Sequence, residues 1–233
     1  MLCFAPCGSL PSDAPALHRY RVFTIVNACN YTVWPSTRSN MPVAGGGFEL
    51  PPGARMNISV PDGWIGSWSP RTGCAFDALG KGSCEVGDCG GFLACDQDAG
   101  LMPPNVTTAE FSLNSWGGMD YYDVVLTYST VPMLLKPSDP ACIAGGCLSD
   151  PNAHCETAQV DGRMLSAAGA QVGCMSACAA YNDAERCLRS TPYSERQKRI
   201  CPVGAYTYFN DNATLVCTGR PDYQVIFCGY LEP

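Results

Sequence analysis

Residues 20–34 read YRVFTIVNACNYTVW, and their texture decides the fold class. Two short runs, Tyr20–Val26 and Tyr31–Trp34, consist largely of β-branched and aromatic residues and are separated by Asn27-Ala-Cys-Asn30. Such side chains suit the pleated, half-buried surface of a strand. The texture returns at Arg55–Val60, closed by the turn signal Pro61-Asp62-Gly63, at Ala109–Asn114 and Tyr121–Tyr128 around the loop 115–120, and at Tyr223–Cys228. Many short strands bounded by Gly and Pro predict a mainly β protein with an antiparallel β-sandwich core. Composition agrees: 24 Gly and 19 Pro argue against a helix bundle, while 46% apolar residues is too high a share for disorder.

Two inserts interrupt the strands. Residues 72–105 place four cysteines between positions 74 and 95 with little apolar periodicity, which predicts a small disulfide-stapled module. Residues 149–201 hold the helical signals, the Ala-rich Met175–Tyr181 and Thr191-Pro-Tyr-Ser-Glu-Arg-Gln-Lys-Arg199. In the second, Thr191 suits the N-cap, Pro192 the first helical position, and the basic residues the C-terminal end. The expected organisation is a flexible leader over 1–19, a sandwich core over 20–71, 106–148 and 202–233, and the two modules between. The leader lacks the apolar run of a signal peptide.

Sixteen cysteines, even in number and spread along the chain, predict disulfides and hence a secreted, extracellular protein. Structural zinc is disfavoured by only two His and by the lack of Cys-x2-Cys pairs. Four sequons, at Asn30, Asn57, Asn105 and Asn212, fit a glycoprotein of the secretory pathway. A net charge of −7 offers no basic footprint for nucleic acid or anionic lipid, and no stretch of 18 apolar residues predicts a membrane span.

The segments FTIVNACNYTVWP (23–35), RTGCAFD (71–77), GKGSCEVGDCGG (80–91), PPNVTTAEFSLN (103–114), VPM (131–133) and YQVIFC (223–228) resemble the thaumatin-like proteins, the pathogenesis-related group 5 family. Val86 stands where that family usually has Thr. Spacing alone cannot choose among the possible cysteine pairings. The resemblance implies Cys29–Cys228, Cys74–Cys84, Cys89–Cys95, Cys142–Cys217, Cys147–Cys201, Cys155–Cys174 and Cys178–Cys187. The family's eighth bridge is missing, since Leu188 occupies one of its places. Cys3 and Cys7, in the leader, have no family equivalent.

The resemblance also implies an acidic cleft that binds, and in some members hydrolyses, β-1,3-glucans. Other members inhibit proteases, amylases or xylanases. Of the family's one Arg, one Glu and three Asp around the cleft, Glu110, Asp123 and Asp211 are present, Phe48 replaces the Arg, and Tyr128 falls near the remaining Asp. Phe48 and Tyr128 are then candidate sugar-stacking surfaces. Glycosidases use two carboxyl groups, one protonating the leaving oxygen and one serving as nucleophile or base, so Glu110 and Asp123 are the candidate catalytic pair. Either hairpin register permits it, with Cβ atoms roughly 5 Å apart if opposed and roughly 7–8 Å if diagonal. Asp96-Gln-Asp98-Ala-Gly100 reads as a turn rather than a calcium loop. His18 and His154 lie in no evident Ser-His-Asp setting. No cofactor or metal is expected. The expectation is a monomeric defence-type protein recognising β-1,3-glucan or a related wall polysaccharide, with weak endo-β-1,3-glucanase activity open. The alternatives are an inhibitor of a protease or glycosidase, or a non-catalytic structural or stress protein.

Overall fold

The structure, a computed structural model, describes residues 20–95, 104–155 and 162–232. The leader with Cys3, Cys7 and His18, and the turn expected at 96–100, lie outside the described residues. Along the chain come β1 (Tyr20–Asn27), β2 (Trp34–Ser39), β3 (Arg55–Pro61), β4 (Ile65–Phe76), β5 (Gly82–Val86), β6 (Thr108–Ser112), β7 (Asp120–Val125), β8 (Tyr128–Ser129), β9 (Met133–Pro137) and β10 (Gly145–Gly146). They are followed by β11 (Arg163–Leu165), β12 (Gln171–Met175), α1 (Ala177–Tyr181), α2 (Ala184–Leu188), α3 (Pro192–Ile200), β13 (Ala205–Tyr206), β14 (Leu215–Cys217) and β15 (Tyr223–Phe227).

One main sheet has the order β10-β9-β15-β1-β3 and the other β13-β7-β6-β4-β2, with β14 also on β7 and β5 also on β4. A small third sheet, β11-β12-β8, belongs to the helical region. Pairing is mostly antiparallel, as expected, but β1 runs parallel to β15 and β13 parallel to β7. The first pair joins segments from opposite ends of the chain, so no tight turn between them dictates an antiparallel arrangement. Just beyond this pair Cys29 is bonded to Cys228, closing a separation of 199 residues. A loop that long carries about 5 kcal/mol of unfolded-state entropy in the chain-entropy account. Six further disulfides join Cys74–Cys84, Cys89–Cys95, Cys142–Cys217, Cys147–Cys201, Cys155–Cys174 and Cys178–Cys187. Among the described residues no helix is long and apolar enough to cross a membrane.

Period-two alternation builds the interface between the main sheets. Phe23 and Ile25 of β1 and Tyr223, Val225 and Phe227 of β15 are buried against Trp68, Phe111 and Tyr122 of the facing layer. Phe23 meets Phe111 edge-on at 4.9 Å, and Tyr223 meets Tyr122 edge-on at 5.3 Å. Buried aromatics in such geometry add to their area-driven stabilisation.

Several elements differ from the sequence expectation. The second strand starts at Trp34 instead of ending there, because Asn27 Nδ2 pins the preceding loop by donating to the carbonyls of Tyr31 and Leu50 at 2.9 and 2.8 Å. It runs through Pro35, which lies opposite Pro70 on this edge strand. The Pro35 carbonyl turns away from β4 to accept from the Phe48 N–H, so neither proline breaks a ladder bond there. The twelve-residue β4, interrupted in sequence by Gly66, Pro70 and Gly73, runs unbroken from the sheet into the stapled hairpin with β5. The expected Tyr121–Tyr128 strand divides into β7 and β8. Met175 belongs to β12, and α1 begins after it with Ser176 as N-cap. Thr191 caps α3 as its sequence predicts, in a reciprocal box with Ser194.

One charged contact joins the layers. Arg21 shares the inward face of β1 and is 3% exposed; its guanidinium donates to Asp120, which is fully buried at the start of β7, and to Asp62 at 3.1 Å. Asp120 also accepts from the Tyr223 hydroxyl at 2.9 Å and the Asn114 N–H at 2.8 Å. Removing one member of a buried pair strands the other charge. Asp120→Ala is therefore expected to cost about 3–5 kcal/mol in urea unfolding. Arg21→Gln combined with Asp120→Asn, which keeps an acceptor for Asn114, should recover at least half of that loss. Equal losses in both variants would rule out the pair as their source.

Candidate functional site

A single row across the second sheet carries the candidate site. Arg38 of β2 lies opposite Ser67 of β4, Ser67 opposite Glu110 of β6, and Glu110 opposite Asp123 of β7. Alternation places it: Ala109, Phe111, Tyr122 and Val124 point into the core, so the residues between them face outward. The register selects the directly opposed arrangement of the two carboxylates over the diagonal one, with Cβ atoms about 5 Å apart.

The outward face is hollowed into a groove of two parts that share the carboxylate pair. One part, about 580 Å³, extends over Arg38, Ile65, Ser67, Ser112 and Tyr121. The other, about 420 Å³, is walled by Val125, Thr127, Tyr206, Tyr208, Phe209 and Thr214. Glu110 and Asp123 line both parts and so stand at their junction. Aromatic rings flank the junction on either side, and Phe209 is 62% exposed.

The two carboxylates differ in setting. Glu110 is exposed to solvent, whereas Asp123, overhung by the segment 206–214, is only 8% exposed. Asp123 Oδ2 accepts from the Thr214 hydroxyl at 3.4 Å, and that hydroxyl is 2.7 Å from the Tyr206 hydroxyl. Asp123 Oδ1 is enclosed without a hydrogen-bond partner. Burial, reinforced by the facing Glu110 carboxylate and opposed by the Thr214 hydrogen bond, pushes Asp123 up to about 7. The partial desolvation of the groove also raises Glu110. A proton on Asp123 relieves a buried charge and turns an orphaned acceptor into a donor. Both carboxyl groups therefore keep their protons to higher pH than free carboxyls do, Asp123 the more so because it is the more buried.

The other residues singled out from sequence are not among those lining this groove. Asp211 is buried and held by Lys198 Nζ at 2.9 and 3.1 Å and by the Thr207 N–H and hydroxyl, which ties α3 to the segment that overhangs Asp123. Phe48 packs against the main core. The glycine run before it lies against residues 93–95, and a Cβ on Gly47 would come within 2.4 Å of the Leu93 carbonyl. Tyr128 is paired opposite Met175 of β12. Conversely, the sequence reading missed Arg38, which restores a cation to the row, together with Tyr121 and the wall Tyr206–Phe209 and Thr214. Period-two parity carried past Pro35 would have found Arg38; the wall residues lie in or beside very short strands and carry no periodic signal. Among the described residues no group of three or more His, Cys, Asp or Glu is arranged to hold a metal.

A sequence model of the thaumatin family matches residues 27–229. Pathogenesis-related protein 5 of Arabidopsis thaliana is 40% identical over 222 residues, covering 88% of this chain and 89% of that protein. Pathogenesis-related thaumatin-like protein 3.5 of Cryptomeria japonica is 39% identical over 224 residues, 89% of each chain. Among solved structures, a thaumatin-like xylanase inhibitor is similar with a TM-score of 0.52 and 28% identity, covering 89% of this chain and 99% of the inhibitor.

The raised Asp123 value fixes the sign of a pH effect. Between about pH 4 and 7 the native chain holds a proton that the unfolded chain has released, so this group's contribution to stability falls as pH rises through that window and is level above it. Asp123→Asn should flatten this group's share of the slope, leaving stability unchanged near pH 3 and higher than in the parent by about 4 kcal/mol at pH 8. Urea midpoints across this range check it; a parallel slope in parent and variant would refute it.

Proposed function

The chain belongs to the thaumatin family, and we propose that it is a secreted defence-type protein that binds β-1,3-glucan or a related wall polysaccharide along the groove. The observation that carries this reading is the opposed Glu110–Asp123 pair at the junction of two groove parts bordered by Tyr121 on one side and Tyr206, Tyr208 and Phe209 on the other. Rings offer the apolar faces of sugars a stacking surface, while Glu110, Ser67 and Ser112 offer hydrogen bonds to hydroxyls. An open groove with polar groups converging between apolar walls suits a neutral chain that passes through it. Secretion is supported by the seven disulfides among the described residues, since such bonds form and persist in oxidising compartments.

Binding is favoured over turnover. A glycosidase needs both carboxyl groups at the scissile bond. Asp123 keeps one oxygen enclosed and the other bonded to Thr214, so Glu110 is the carboxylate a ligand meets. The expected outcome is that soluble β-1,3-glucan retards the protein in affinity electrophoresis, that Phe209→Ala and Glu110→Gln each weaken retardation by about tenfold, and that no reducing sugar is released at high protein concentration. Release of reducing sugar that disappears in Glu110→Gln would instead make the chain a hydrolase. Absence of retardation would sink the polysaccharide reading.

The likeness to a xylanase inhibitor favours one second reading, inhibition of a glycosidase by an exposed loop. Titration against fungal xylanases separates the two: a stoichiometric loss of xylanase activity supports inhibition, and flat activity removes it.

A further inference from the structure

We infer that an N-linked glycan on Asn212 closes the Tyr206–Phe209 part of the groove and thereby limits how tightly polysaccharide is bound; the second clause rests on the groove reading above. The sequon Asn212-Ala213-Thr214 and the groove share a residue. Thr214, whose hydroxyl completes the sequon, is the wall residue that donates to Asp123 and meets Tyr206. Asn212 is exposed, two residues from Thr214 and three from Phe209, both of which line the groove.

The root of such a glycan is fixed in space. Asn212 stands between Asp211 and Ala213, which are 7% and 5% exposed. Asp211 is held by Lys198 and Thr207, and the Ala213 N–H donates to the Asp211 carbonyl at 2.9 Å. A glycan at Asn212 leaves the chain between Phe209 and Thr214, two of the residues that line a hollow of about 420 Å³, and Phe209 is presented there to solvent. Its first sugars have the size and apolar faces of the ligand proposed for the groove, so stacking on that ring is available to them.

The order of events follows from the same hydroxyl. In the fold the Thr214 hydroxyl is already committed to Asp123 and Tyr206, so modification belongs to the chain before it folds. In that transfer Asn212 Nδ2 forms a bond to the anomeric carbon of the reducing-end sugar, the bond from that carbon to the pyrophosphate of a lipid-linked donor breaks, and the amide releases one proton. Asn57 provides an internal comparison: it is exposed on β3 of the other sheet, where the Thr24 hydroxyl donates to its side chain at 2.9 Å.

The test uses the full chain secreted from a glycosylating eukaryotic host, with Asn212→Gln and Asn57→Gln variants. Glycopeptide mass spectrometry reads occupancy, nitration by tetranitromethane reads access to Tyr206 and Tyr208, and laminarin retardation reads binding. Asn212 is expected to be occupied, with nitration of Tyr206 or Tyr208 several-fold faster and laminarin binding about tenfold tighter in Asn212→Gln but unchanged in Asn57→Gln. An unoccupied Asn212, or nitration rates that ignore its glycan, would overturn the inference. Equal laminarin binding with and without the glycan would overturn its effect on affinity. Glycan-dependent nitration with no laminarin binding by any form would support the glycan's placement and overturn the polysaccharide reading.

Discussion

Asp120 is the point on which the site's geometry depends. It joins the two sheets through Arg21 and Tyr223, anchors the 113–119 turn through the Asn114 N–H, and begins the strand that carries Asp123 three residues later. A carboxylate buried this deeply survives because each oxygen is met by a donor, and burial together with Asp120 raises the Tyr223 phenol, keeping it protonated as one of those donors. Arg21 in turn leans on Asp62, which also holds Arg220 from the loop before β15. The network is a clamp at one edge of the sandwich, where hydrophobic packing alone would leave the relative position of the layers loosely specified.

With β6 and β7 fixed in register, the difference between Glu110 and Asp123 has a simple origin. Both project from the same face in the same row, but only Asp123 has a neighbour beyond it, the segment 206–214 with β14. That segment belongs to neither main sheet interior; it is held by Lys198–Asp211 and by the Phe209 N–H donating to the Cys187 carbonyl at 2.8 Å. The proton affinity of Asp123 thus depends on how the helical region docks, through a cover and not through a direct contact. Charge repulsion from Glu110 adds to an effect that desolvation already dominates.

Much of the fold was legible because its strands are ordinary ones. β1, β3, β6 and β15 carry β-branched and aromatic residues between turn signals that place them within a residue or two, and the same signal places the start of β7 within one residue while running past its end. The alternation that buries Phe111 and exposes Glu110 also put both carboxylates on one outward face. What stayed hidden has physical causes. β4 is a central strand whose sequence is rich in Gly, Ser and Pro, tolerated because Trp68 and Arg71 lie on it: Trp68 fills the core and Arg71, fully buried, reaches the carbonyls of Trp34, Phe92 and Leu93. Burial lowers Arg71 to about 10, well above neutrality, so it stays a cation solvated by main-chain carbonyls. No local rule announces such a residue. Asp211 illustrates the opposite error, a carboxylate whose type suits a cleft but whose partners, Lys198 and Thr207, are assembled only by the tertiary fold.

The groove is thus made of two materials. Its floor, Ser67, Glu110 and Asp123, is set by sheet register and cannot shift by one residue without turning the core face outward. Its far wall, Tyr206 to Thr214, is a short irregular segment held by one ion pair, a few main-chain hydrogen bonds and the Cys142–Cys217 bridge just beyond it. Substitutions in such a wall leave core packing untouched, so the shape of the groove can change while its carboxylate floor stays in place. An opposed pair of carboxylates on a rigid floor under an adjustable wall puts the charge of the groove in its floor and the variation of its shape in its wall. The sequon Asn212-Ala213-Thr214 lies within that wall.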